Sequence, residues 1–504
     1  MGTLATFLLL AVWGISMPLY TGPDEQSQAT HAAALVRGQL IGTPTPGYEN
    51  PFTIVSVPGT FGDGMNEIHC FQWNPVVPAS CAAGVKLSDK TVVASTYSGR
   101  YPPTYYAITG LVTLVDQSAG TLRYMRLVSA LMSSALLGLA IMVMLTWSRN
   151  RLLRVGFLCA LTPTAVYLGG MVNPNGLEIA AGICLWCTGT VLVFEHGADP
   201  PRGLLLCVFG SAAVFATTRG ISPLLVFLIL VALVALLGFR RAWRLLRERR
   251  DVQLLAAVLF ALSAVTVAWI LLTHTLWLVP AGPPVAAHAS DLHIVGQAFD
   301  QTRVWYEQMV GVLGWDEVYV PSWTYRIWAA VVIILVALAI RSGRARGLVV
   351  LGSLVAVVVL LPIPITLVNA RTVDIVWQGR YMLPLSAGVP ILASALGNRS
   401  SDGSTLWIRL ALFLALALAS LLAFLETLRR YAVGNQGPFD LIGARWHPVE
   451  GWALALLWYL VAYGLLLVVL GALESPRRQR ATQAVRRGPA HARRRGGRLG
   501  AVST

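Results

Sequence analysis

Apolar stretches of about 20 residues recur from the start of the chain almost to its end, and that repetition leaves few folds open. Hydrocarbon offers no partner to a backbone N–H or C=O, so a stretch of this length crosses a bilayer as a helix that satisfies its own polar groups. The stretches fall at about 3–20, 126–147, 153–171, 177–195, 203–218, 221–239, 252–273, 326–340, 347–368, 383–397, 406–427 and 451–472. The expected fold class is an all-α polytopic membrane protein with about twelve transmembrane helices. Charged residues make up only 12% of the chain, against about 25% in a soluble domain. The least defined boundaries are the interruption at Thr217-Thr218-Arg219-Gly220 and the short stretch 383–397.

The formal net charge of +15 follows topology rather than nucleic-acid binding. Arg149/Arg151/Arg154, Arg202, Arg240–Arg250, Arg341/Arg344/Arg346, Arg399 and the Arg-rich tail all fall on one side under a twelve-helix count. Cytoplasmic loops carry that bias. The expected location is the cell membrane, multi-pass, with both termini cytoplasmic. The long segments 21–125 and 274–325, and the shorter 369–382 and 428–450, then face outward. Segment 21–125 is too long for a connector and is expected to fold on the membrane surface. The division is a membrane domain at 1–472 and a disordered basic cytoplasmic tail at 473–504. The first span lacks a basic leader and a small-x-small site before Pro23, so it is expected to remain as a helix.

Cysteine usage fits this topology. Cys70 and Cys81 share the first outward segment, where an oxidising exterior favours a disulfide over a free pair. Cys159, Cys184, Cys187 and Cys207 lie in apolar spans. Cys184 and Cys187 have redox spacing, but no basic neighbour that would lower a thiol pKa, and read as packing. No His/Cys cluster has zinc spacing and no Gly-rich phosphate loop is present.

Polar chemistry concentrates where spans meet water. Pro23-Asp24-Glu25 to His31 follows the first span, and a helix running to Gly38 would put Asp24, Gln28 and His31 on one face. Asp24 reads either as a base or as the cap of that helix. Tyr97-Ser98-Gly99-Arg100-Tyr101-Pro102-Pro103 precedes an interfacial helix, Ala107 to Val115. Arg100 and its tyrosines there read as phosphate or sugar ligands, or the tyrosines as membrane anchors. Asn173-Pro174-Asn175-Gly176-Leu177-Glu178 makes a turn with an acid at the positive end of the next helix. Arg219 breaks the charge rule and calls for a partner. Arg380, beside Gly379 and Tyr381, offers a planar fork for two phosphate oxygens, or else pairs with Asp374 or Glu178.

Taken in order, these motifs, with Gly311-Val312-Leu313-Gly314-Trp315-Asp316 between them, resemble the polytopic bacterial membrane proteins grouped as domain of unknown function 2142. The resemblance runs to about residue 472, and that family in turn resembles the C-fold (GT-C) glycosyltransferases, which use polyprenyl-phosphate sugars. It implies a GT-C-like arrangement with a large first extracytoplasmic loop, and a catalytic acid just after the first helix, at Asp24 or Glu25. It also implies an inverting transfer from a polyprenyl-phosphate-linked sugar to an envelope polysaccharide or glycolipid acceptor. His31, Arg100, Glu178, Arg219, Arg380 and Tyr381 are the expected substrate-binding residues. No cofactor is implied with certainty; a divalent metal between Asp24 and Glu25 or Glu178 is compatible, though no spacing requires it. The sequence departs from the pattern at Asp316-Glu317-Val318, where the family often has Leu-Asp-Thr, and at Arg219, where related proteins often have Lys. It also lacks a large soluble domain after the last span. Two other readings use the same charges: a transporter or flippase for a lipid-linked or anionic solute, and a non-catalytic envelope-assembly protein.

Overall fold

The computed structural model describes residues 1–45, 51–62, 68–82, 88, 90–116, 118, 120–197, 199–276, 289–342, 344–373, 376–397, 404–439, 441 and 443–471. The tail expected at 473–504 and Asp374 lie outside them. Every expected span overlaps one or two helices among the described residues, but the count of twelve is not reproduced. Among the described residues seven helices are long and apolar enough to cross a membrane, and up to nine if each bent pair is one span.

Helix α1 (Gly2–Ser16) leads to α2 (Glu25–Leu35). A three-stranded antiparallel sheet follows, β1 (Thr43–Pro44), β2 (Thr53–Pro58) and β3 (Thr91–Thr96), with Thr53 opposite Thr96. The short helix α3 (Thr104–Gly110) precedes α4 (Thr121–Trp147), the first of the seven long spans. Then come α5 (Leu153–Ala160) and α6 (Pro163–Gly170), bent by 62° where Pro163 interrupts the hydrogen-bond ladder. Next are α7 (Pro174–Val191), α8 (Arg202–Ala216), α9 (Ser222–Leu237), α10 (Phe239–Glu248) and α11 (Arg250–Thr273). The α9–α10 pair turns by 103° at Gly238, whose φ of +93° a side chain would resist. Helices α12 (Asp291–Asp300) and α13 (Thr302–Gly311) lead into a hairpin, β4 (Val312–Leu313) with β5 (Val318–Tyr319). The chain closes with α14 (Ser322–Arg341), α15 (Ala345–Leu360), α16 (Pro362–Val373), α17 (Gly388–Gly397), α18 (Ser404–Val433) and α19 (Trp452–Gly471).

The three expected spans outside the nine are 3–20 and 203–218, which are helices of 15 residues each, and 383–397, which is divided between Leu383–Ser386 and α17. Burial sorts centre from rim. The span Pro174–His196 is 89% buried by protein, whereas α11 is 17% buried and exposes Leu254, Phe260, Val265 and Leu272. An apolar rim of that kind is solvated by lipid, as membrane burial requires.

Small residues let α1 sit deep in this bundle. A Cβ on Gly14 would lie 2.5 Å from the Gly170 carbonyl oxygen, and one on Gly170 would lie 2.4 Å from that of Leu10. Such backbone-to-backbone approach is the usual device where helices cannot gain from the hydrophobic effect against lipid. It fixes where α1 ends, and so where the acids after it emerge.

The described part of segment 21–125 ahead of α4 is built on α2. Thr96 Oγ1 donates to the Ser27 carbonyl at 2.9 Å, and Thr30 Oγ1 donates to that of Phe61 at 2.7 Å. The sheet is thereby docked on α2, and Tyr97, the residue after β3, is carried to the start of that helix. Cys70 and Cys81 form a disulfide with Cα atoms 6.1 Å apart. The four remaining cysteines are free, three of them buried.

Candidate functional site

The two adjacent acids after α1 have different surroundings. Glu25 is fully buried against Arg126, an arginine inside the apolar helix α4. Arg126 Nε and Nη2 donate to the Glu25 carboxylate at 2.7 and 2.6 Å. The same guanidinium donates to the carbonyls of Gly14, Met17 and Pro18. Glu25 also accepts from the backbone N–H groups of Val172 and Gly22, at 3.0 and 3.2 Å. Both charges are thus paired and hydrogen-bonded, which is the condition for burying them at all. The arrangement locks the end of α1 to α2 and to the Asn173 turn, whose side chain donates to the Pro23 carbonyl at 2.7 Å.

Asp24 makes no side-chain cap to α2. Its φ is +63°, in the left-handed region, where a non-glycine residue is uncommon and worth a functional question. Its carboxylate accepts from Tyr97 Oη at 2.5 Å and from Arg380 Nη2 at 2.9 Å, with 28% of the side chain exposed. Arg380 is 5% exposed, and its Nη1 faces Asp316 Oδ2 at 3.7 Å. Neither Nε nor Nη1 of Arg380 makes a hydrogen bond among the described residues. A buried guanidinium with spare donors, flanked by two part-exposed carboxylates, can take oxygens from an anionic ligand.

Arg380 is aimed by its own turn. A Cβ on Gly379 would lie 2.0 Å from the Trp305 carbonyl oxygen, so only glycine lets the turn rest on α13. The Gly379 N–H donates to Gln308 Oε1 at 2.6 Å. Tyr381 then stands between two arginines, with Arg380 5.5 Å and Arg219 5.0 Å from its ring centroid. Arg219 pairs with the buried Glu178 at 3.2 Å, and Ser222 Oγ donates to Glu178 at 2.5 Å. The contact order is therefore Glu178, Arg219, Tyr381, Arg380, then Asp24 and Asp316. Five charged residues from distant parts of the chain form one connected group.

No sequence motif singles out Asp316 or Arg126 as a site residue, whereas Tyr97 and Tyr101 lie in the motif around Arg100. Asp316 sits in the β4–β5 hairpin with a φ of +59°. Burial raises its pKa; Arg380 pulls the other way and Asp24 adds to the rise. Tyr97 is likewise raised, first by burial and then by Asp24. Tyr101, near Arg219 and Tyr381, is pushed up to about 12, chiefly by burial.

The remaining expected residues fall elsewhere. Arg100 offers its backbone carbonyl to Trp269 Nε1 and Thr275 Oγ1, at 3.0 and 2.7 Å, tying segment 21–125 to the end of α11. His31 is fully buried, edge-on to Tyr106 with ring centroids 4.4 Å apart, and neither ring nitrogen has a hydrogen-bond partner among the described residues. Among the described residues no group of three His, Cys, Asp or Glu is placed to hold a metal ion. The carboxylates expected to share one point to different arginines.

Burial lowers the His31 pKa to about 3 from 6.5. The folded state thus binds fewer protons than the unfolded one, so His31 costs no stability above about pH 6.5 and progressively more as pH falls toward 3. Thermal unfolding of wild type and His31→Leu, followed from pH 7 to 4, should show wild type losing ground by up to about 1.4 kcal/mol per pH unit. A constant difference across that range would exclude a neutral buried imidazole.

Comparison with known proteins gives a family and a distant likeness. Residues 7–389 match the family described as "Predicted membrane protein (DUF2142)". Two crystal structures of ArnT from Cupriavidus metallidurans, one bound to undecaprenyl phosphate and one in the apo state, each align at 15% identity with a TM-score of 0.43. The first alignment covers 96% of this chain and 79% of that one, the second 95% and 78%. No curated protein matches the chain.

Proposed function

The chain belongs to the DUF2142 family of predicted membrane proteins, and for it we propose a membrane glycosyltransferase with a GT-C-like arrangement. It moves a sugar from a polyprenyl-phosphate donor to a cell-envelope acceptor on the outer face, with inversion. One observation supports this most: a part-exposed Asp24 pairs with a buried Arg380 whose Nε and Nη1 make no hydrogen bond among the described residues. A base and an anion-binding cation stand within hydrogen-bonding distance of each other.

In this reading the donor's tail lies among lipid chains and its phosphate reaches Arg380, with Arg219 next along through Tyr381. Asp24 takes the proton from an acceptor hydroxyl. The freed oxygen attacks the anomeric carbon as the bond from that carbon to the phosphate oxygen breaks. The electron pair leaves with the polyprenyl phosphate, whose charge Arg380 stabilises in a site largely closed to water. Tyr97 donates to the Asp24 carboxylate and fixes its direction. Glu25 has a positioning role, since its lone pairs are already used by Arg126 and two backbone N–H groups.

Arg380→Lys tests the phosphate role. Lysine keeps the charge but loses the planar fork. Removing one preorganised donor of this kind costs roughly 100- to 1,000-fold in kcat. The readout is release of polyprenyl phosphate from a labelled polyprenyl-phosphate sugar. A variant that turns over at the wild-type rate would remove Arg380 from the mechanism.

A further inference from the structure

Five described non-glycine residues have positive φ, and four of them gather around the site: Tyr20 (+61°), Asp24 (+63°), Trp73 (+55°) and Asp316 (+59°). Strain of this kind persists only where surrounding contacts over-determine it, and it clusters at functional positions. Asp24, which faces Asp316 across Arg380, already has a proposed use. Trp73 does not, yet it is 66% exposed.

The segment carrying Trp73 is fastened from several directions. The Cys70–Cys81 disulfide closes it. Arg430, fully buried, donates to the carbonyls of Phe71, Asn74 and Val77 at 2.8, 3.2 and 2.7 Å, and pairs with Glu317 at 3.0 Å. The Asn435 N–H donates to the Pro75 carbonyl at 2.8 Å. Trp73 itself meets Trp315 edge to face, ring centroids 5.8 Å apart at 79°. Trp315 is pinned in turn, its Nε1 donating to the Tyr20 carbonyl at 3.0 Å. The residue after Trp315 is Asp316, which faces Arg380. All this fastening leaves Trp73 in the open rather than folding it away.

We propose that Trp73 and Trp315 form a carbohydrate platform that receives a pyranose ring of the water-side acceptor beside the Asp24–Arg380–Asp316 group. The apolar C–H face of a pyranose packs on an indole because its slightly positive hydrogens meet the negative face of the ring. The occupant is the acceptor because Trp73 continues the contact order outward from Asp316, whereas the cation of Arg219 lies on the other side of Arg380, over Tyr381. A membrane-anchoring tryptophan needs neither a left-handed backbone nor a neighbour tied to a catalytic hairpin. This inference rests on the glycosyltransferase reading for its choice of acceptor, but the binding itself is measurable without turnover.

The test is saturation-transfer NMR of the detergent-purified full chain with cellotriose and with α-1,6-mannotriose. Transfer is expected to the ring C–H protons of at least one of the two. It should weaken roughly ten-fold in Trp73→Ala and persist in Trp73→Phe, which keeps an aromatic face. Trp323→Ala, an exposed tryptophan elsewhere (36%), should leave the signal unchanged. In turnover, Trp73→Ala should raise the acceptor KM by a similar factor with kcat and the donor KM unaltered. Equal transfer in wild type and Trp73→Ala, or none to either sugar, would overturn the platform. Sugar transfer by a wild type that shows no such binding would leave the enzyme reading standing; platform binding without any turnover would do the reverse.

Discussion

Asp24→Asn is expected to reduce sugar transfer by roughly 100- to 10,000-fold, the range that general-base assistance contributes, while protein yield and thermal stability stay near wild type. The substitution separates the two readings of this residue. Asparagine caps a helix about as well as aspartate and tolerates the left-handed backbone better than most residues. Tyr97 donates to Asp24 Oδ1 and Arg380 to Oδ2, and an amide keeps a single acceptor oxygen, so the charge, the basicity and one of these two bonds are lost. If Asp24 served only to start α2, the variant would be nearly silent. A stability loss equal to the activity loss would point to a structural role for the carboxylate.

The second large effect concerns Arg126. Arg126→Met should destabilise the protein by about 3–5 kcal/mol, the usual result of leaving one partner of a buried pair uncompensated. The loss has two parts. Glu25 would remain buried at 0% exposure with no counter-charge, and the carbonyls of Gly14, Met17 and Pro18 would lose their shared donor. Because these groups sit where α1 turns into α2, the variant should also misplace Asp24. The check is the unfolding temperature of detergent-purified protein, with size-exclusion profiles to score folded yield. A wild-type unfolding temperature would show that the pair is dispensable and would reopen Glu25 as a free carboxylate.

The spans were legible in the sequence because hydrocarbon enforces their length, and the break around Arg219 was legible because a charge interrupted two apolar runs. The helix count was not: 3–20 and 203–218 form helices of only 15 residues, 383–397 is divided, and hydropathy does not register the bends at Pro163 and Gly238. The separation of Asp24 from Glu25 was also hidden, though a signal existed: Arg126 opens an apolar span and calls for a partner there. Asp316 could not be foreseen as a neighbour of Asp24. That proximity depends on the β4–β5 hairpin, the Gly379 turn and the α1–α6 glycine contact acting together, and no local pattern encodes it. His31 was expected to share a helix with Asp24, but Asp24 precedes α2 in a left-handed conformation, and the helix turns His31 toward Tyr106, where burial rather than catalysis sets its pKa.

The most direct measurement supplies purified protein in proteoliposomes with a labelled polyprenyl-phosphate sugar and membrane acceptors. The readout is polyprenyl phosphate released and the anomeric configuration of the product, in wild type and Asp24→Asn. The account predicts release coupled to an inverted glycosidic bond in wild type and a loss of at least about 100-fold in the variant. No transfer from polyprenyl-phosphate sugars by wild type, retention of configuration, or undiminished transfer by Asp24→Asn would contradict it.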